Sequence, residues 1–99
     1  MAEVGLYTEP YVSGMKALAF FGPIASCAFI ADEKVFDREA EWGEAEEELF
    51  ADLRRKAQDL GANAVVGLEF TADPFAENLD GESGLRLHVV GTAAVLEAL

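Results

Sequence analysis

Residues 60–70 read LGANAVVGLEF, and inside them the hydrophobic period changes from helical to extended with no polar loop between. Upstream, Trp42, Ala45, Leu49, Leu53, Ala57 and Leu60 recur at spacings of three and four, which puts them on one face of a helix starting near Asp37. Downstream, Ala64, Val66, Leu68 and Phe70 alternate with Val65, Gly67 and Glu69, the two-residue period of a strand. Gly61 falls just past the last periodic residue, where a helix end favours a left-handed residue without a Cβ. Asn63 is suited to bonding neighbouring backbone groups and closing the corner. A junction this short folds the helix back across the sheet it feeds.

The rest of the chain fits around that join. Asp37 reads as the N-cap of the helix, and Glu39, Glu41, Glu44, Glu46, Glu47 and Glu48 crowd its first half. Arg54, Arg55 and Lys56 sit toward its end, so both termini match the helix macrodipole. Val4–Tyr7 carries a short strand signal. Lys16–Phe21 and Ile24–Ala31 predict two strands parted by Gly22-Pro23, the proline marking a bulge or an edge. Their continuous apolarity predicts a buried strand pair, covered on both faces with the help of another subunit. Residues 73–84, DPFAENLDGESG, read as a turn-rich loop, and Leu85–Leu96 as the last strand. Gly67 and Gly91 interrupt the last two strands and predict a bulge or a close backbone approach. The expected fold is a single α+β domain over residues 1–99: one long helix on an antiparallel-rich sheet, in the coarse order ββαββ.

Composition narrows the function. A chain of 99 residues that is 52% hydrophobic has little room to hide its apolar surface, so self-association is expected. With 19 acidic and 7 basic side chains, the net charge is −12, which argues against nucleic acids and anionic membrane surfaces as partners. Cys27 and His88 are the sole cysteine and histidine, so no internal disulfide and no conventional transition-metal ligand set can form within one chain. Ala17–Ala31 is uncharged but shorter than the roughly 20 residues of a membrane span, and Gly22-Pro23 breaks it. From Met15, the text MKALAFFGPIASC superficially resembles a lipoprotein signal with Cys27 as the acylated residue. A single lysine and the internal proline favour strands instead.

The stretch LGANAVVGLEF (60–70), followed after a loop by Val90-Gly91-Thr92-Ala93-Ala94-Val95, resembles the YbjQ-like family. The resemblance extends from about Tyr11 onward and is most specific in the second half. It implies a compact α+β domain in bacterial or archaeal cytoplasm, assembled as a homo-oligomeric ring with a pentamer favoured, and it brings a label of heavy-metal binding. This chain has Glu69 where the family commonly has arginine, and Val90 where it commonly has an aromatic residue. A site lined by those positions would have reversed charge here.

Glu69 and His88 are the candidate metal pair. If residues 63–72 and 85–96 pair as an antiparallel hairpin, a register near the middle of the loop sets them opposite each other on one face. A carboxylate beside an imidazole suits a divalent metal ion, and copies around a ring axis would complete the shell. The simpler alternative is a cross-strand ion pair, open also to Arg86. Asp37, Glu41, Glu44 and Glu48 line one helical face and read as solvated surface. Trp42 offers a stacking surface for a flat ligand, against the simpler reading of an apolar cap. Cys27 reads as a packing residue, and Gly61, Asn63, Gly67 and Gly91 as backbone devices. No phosphate loop, catalytic triad or acid pair appears. The expected function is therefore a non-enzymatic, cytoplasmic binding or scaffold protein acting as a homo-oligomer, with a divalent metal as ligand at subunit junctions. The alternatives are a carrier of a flat small molecule and an envelope lipoprotein.

Overall fold

The computed structural model describes residues 4–31 and 38–99. Its elements run β1 (Gly5–Leu6), β2 (Met15–Ala31), α1 (Arg38–Asp59), β3 (Ala64–Glu77) and β4 (Ser83–Ala98). They form one four-stranded sheet in the order β1-β3-β4-β2. β4 pairs antiparallel with both β2 and β3, and β1 adds a short parallel pairing to β3. The expected α+β class with one helix on the sheet holds; the order ββαββ is reached differently, with Gly5–Leu6 as the first strand and residues 15–31 as the second.

The stop signal at the end of α1 takes a defined form. Ala62 N–H donates to Ala57 O (2.9 Å) and Gly61 N–H to Gln58 O (2.9 Å), with Gly61 at φ 85°. That is the Schellman arrangement, in which a left-handed residue lets the chain turn back and satisfy orphan carbonyls. Ala57 and Ala62 belong to one buried cluster with Val4, Val65 and Ala93. Asn63 then bridges into the sheet. Its Nδ2 donates to Leu96 O (2.9 Å) and its Oδ1 accepts from Leu96 N–H (2.8 Å), so its side chain continues the β3–β4 ladder.

The core lies between α1 and one face of the sheet. Ala45, Leu49, Leu53 and Ala57 are buried, and Leu49 and Leu53 meet Ile30, Leu87 and Val89. Leu60 departs from the expected stripe: it lies past the helix end and is 44% exposed. Among the described residues, the opposite face of the sheet is covered at one end, where Tyr7, Val12 and Met15 pack on Ala64, Val66, Ala94 and Leu96.

Three expectations change. The stretch 16–31 is one strand rather than two, because register shifts at Ala17/Ala19 and Phe20/Gly22 absorb the Gly22-Pro23 break. Pro23 is tolerated because β2 is an edge strand, and within this chain β2 is mostly half-buried or exposed rather than buried on both faces. The loop expected over 73–84 shrinks, since β3 runs on to Glu77 and Asn78 closes the turn by accepting from Asp80 and Glu82 N–H. Finally, alternation in β3 breaks at Gly67. A register shift between Val66 and Glu69 carries Leu68 to the helix side, against the helix-side core. Asp37, the expected N-cap, lies outside the described residues.

Candidate functional site: the open sheet face and the β2–α1 clasp

Among the described residues, the helix-free face is open beyond the patch covered by Tyr7, Val12 and Met15. Directly opposed residues share a face of a sheet, so the registers define its rows. Ala25, Val90 and Glu69 form one row; Cys27, His88 and Thr71 form the next; Phe29, Arg86 and Asp73 form a third. Glu69 and His88 do not oppose each other, and they share a face because the bulge at Gly67 shifts the register by one residue. Glu69 faces Val90, and His88 faces Thr71. Diagonal neighbours of this kind are about 7–8 Å apart. Arg86, the other expected partner of Glu69, instead donates from Nη2 to Glu77 O at 2.9 Å. Among the described residues no three His, Cys, Asp or Glu side chains converge as a metal-ligand set.

Cys27 differs from its reading as a packing residue. It is exposed, directly across from His88. It also sits inside β2, so cleavage before it would remove β1 and the part of β2 paired with residues 89–98 of β4. Trp42 is half-buried against the main core, where its ring packs as part of the apolar cap, and its Nε1 donates to Glu46 Oε1 at 2.7 Å. No helix among the described residues is long and apolar enough to cross a membrane.

A second polar cluster joins the edge strand to the helix. Ser26, buried in an otherwise apolar run, donates from Oγ to Asp52 Oδ2 at 2.7 Å. Lys56 Nζ lies 2.9 Å from the same carboxylate and donates to Ala25 O at 2.6 Å. Arg55 closes on Asp52 Oδ1. The Ser26 hydroxyl, the Lys56 hydrogen bond and the two cations hold the Asp52 carboxyl below its ordinary value, with partial burial opposing them. Beside the cluster lies a shallow hollow of about 260 Å³, whose walls Ala25, Cys27 and His88 complete. Sequence reasoning passed over this cluster; its one signal was a lone hydroxyl in an uncharged strand. Every polar group in it is partnered, so it is built to hold α1 on β2 rather than to receive a ligand.

Comparison with known proteins places this architecture. The chain is 34% identical over 94 residues to a UPF0145 protein of Trichodesmium erythraeum (strain IMS101), spanning 94% of this chain and 83% of that one. Its fold is similar to the crystal structure of a protein of the DUF74 family from Pediococcus pentosaceus, described there as of unknown function. The TM-score is 0.64 at 20% identity, covering 95% of this chain and 98% of the other. Residues 11–98 match the family model described as C2 domain-containing protein 5, YbjQ-like domain. The chain belongs to the YbjQ-like family, as its helix-to-strand join and its closing Gly-Thr-Ala strand imply.

Proposed function

We propose that this protein is a non-enzymatic, cytoplasmic scaffold that assembles with copies of itself into a ring, a pentamer, and carries a divalent cation on the open sheet face at Glu69 and His88. The observation that carries the assembly is β2. This 17-residue strand forms an edge of the sheet, and it exposes Leu18 (57%), Phe20 (58%) and Phe21 (43%). A long apolar edge left in water is a template for pairing with another chain. On the opposite side of the sheet, β1 and the residues after it bond to β3 as far as Leu68, so among the described residues the outer edge of β3 beyond the bulge is the complementary surface. Joining two different edges head to tail is a heterologous contact, and such contacts close into rings when the rotation permits. The cation half of the reading rests on Glu69 and His88 sharing the uncovered face.

Native mass spectrometry of the wild type and of Phe20→Lys tests the assembly. A ring mass that collapses to smaller species in Phe20→Lys is expected. A monomeric wild type at micromolar concentration would end this reading.

A further inference from the structure

We propose that a second copy joins β2 along its first run only, Met15–Phe21, and that Pro23 and Lys56 close the middle of the edge to strand addition. This rests on the assembly proposed above and gives its contact a place and a limit. In an antiparallel pair, residues alternate: one bonds the partner strand, and the next turns its N–H and C=O the other way. The β2–β4 register is unbroken from Gly22 to Ala31. Proline has no N–H for a ladder, so Pro23 takes a position that faces away from β4. Ala25, Cys27 and Phe29 then face the outer edge with it, at the two-residue period. Lys56 agrees with this phase, since its Nζ reaches from α1 to Ala25 O at 2.6 Å. A strand added here would find no donor at Pro23 and an occupied acceptor at Ala25, beside an ammonium group 2.9 Å from Asp52. Natural sheets set proline and lysine on their edges to stop such pairing.

The first run is built differently. Register shifts at Ala17/Ala19 and Phe20/Gly22 leave Leu18 and Phe21 without a partner on β4. Such bulges bend the strand, and the large exposed apolar side chains of β2, Leu18, Phe20 and Phe21, all fall here. Past Ala25, Ala28 and Ile30 turn instead to the core under α1. Charge selects the occupant, the outer edge of β3 in a second copy. Met15–Ala31 holds one charged residue, Lys16, whereas Glu69–Glu77 holds Glu69, Asp73 and Glu77. Two β3 edges would crowd their carboxylates together, while β2 meets the same acids with apolar residues and a lysine. The lengths match as well. Beyond its bulge, β3 runs from Glu69 to Asp73 before Pro74 and a second register shift. Each edge thus offers one short run that ends near a proline, close to the usual strand length of about five or six residues.

The test is residue-resolved amide hydrogen exchange on wild type above and below its assembly concentration, with native mass spectrometry giving the mass at each. Amides of Leu18–Phe21 that exchange quickly in the free chain should slow by at least about tenfold on assembly. Phe70 and Ala72 on β3 should slow with them, while Cys27 and Phe29 keep their rates. Slowing at Cys27 and Phe29 would overturn the placement and leave the assembly standing. Slowing on β2 without β3 would mark a β2–β2 contact and overturn the occupant. A wild type that stays monomeric would overturn this inference together with the assembly. Lys56→Met, which keeps the length of the side chain and removes its donor and charge, tests the guard. Species heavier than the wild-type ring are expected. Ser26→Ala loosens the same clasp but leaves Lys56 on Ala25 O, so it should keep the wild-type mass. Heavy species in both variants, or in neither, would overturn the role of Lys56 as a guard.

Discussion

The bulge in β3 is made by two glycines acting from opposite strands. Gly67 adopts φ 64°, and its N–H donates to Glu9 O at 2.9 Å, while Leu68 N–H donates to Tyr7 O at 3.1 Å. The extra residue is thus tied down by the segment that follows β1. Across from it, a Cβ on Gly91 would lie 2.6 Å from Val65 Cγ1, 2.9 Å from Leu68 Cδ2 and 3.2 Å from Val66 O. Overpacking of this kind costs about 1–3 kcal/mol, so Gly91→Ala is expected to lower the urea midpoint with an unchanged slope. Gly43 is the opposite case. It lies inside α1 with nothing within 4 Å of an added Cβ, so Gly43→Ala is expected to stabilise by up to about 1 kcal/mol. Two substitutions of the same chemistry should shift the midpoint in opposite directions, and equal shifts would refute the packing account. That Gly67 and Gly91 mark something special was legible from their places in apolar strands. Which residues they would move was not, because a bulge reverses the facing of everything beyond it. Glu69 and His88 share a face only because of that reversal: the register before the bulge would set Glu69 opposite Val89, on the helix side.

At the scale of elements, the join between α1 and β3 was readable because each of its devices is local: Gly61 past the helix end, then alternation from Ala64. The join between α1 and β2 was not, because Ser26 and Asp52 lie 26 residues apart and neither carries a pattern of its own. The clasp makes a pH prediction. The Asp52 carboxyl is held below its ordinary value of 3.8, first by the Ser26 hydroxyl and then by Lys56. A carboxyl with a depressed folded value contributes its full stability above the unfolded value and loses it as pH falls through the folded one. Wild type should therefore lose stability below about pH 4 more steeply than Ser26→Ala and Asp52→Asn, in which the depression is weakened or removed. Urea midpoints between neutral pH and the acid limb check this. Parallel acid limbs in all three proteins would mean that the clasp is not the acid-sensitive element.

For the whole molecule, charge and apolar surface pull in opposite directions. Each chain carries −12, with Leu18, Phe20 and Phe21 exposed along one edge of its sheet. Bringing copies together buries apolar surface, which is favourable by roughly 25 cal/mol per Å². The same step concentrates like charge, which opposes association over a distance set by salt. The Debye length shrinks from about 30 Å at 0.01 M to about 10 Å at 0.1 M, so added salt removes the repulsion and leaves the apolar term nearly intact. Self-association through β2 is accordingly expected to tighten with salt, by roughly tenfold over that range (about 1.4 kcal/mol), in sedimentation velocity at fixed protein concentration. Phe20→Lys should weaken assembly at every salt concentration, because it places a charge on the edge that must pair. The opposite slope, association weakening as salt rises, would show that ion pairs such as Lys16–Glu97 at the β2–β4 end are re-formed between copies and carry the contact. The apolar edge would then be a by-product of β2's length rather than the reason the chains assemble.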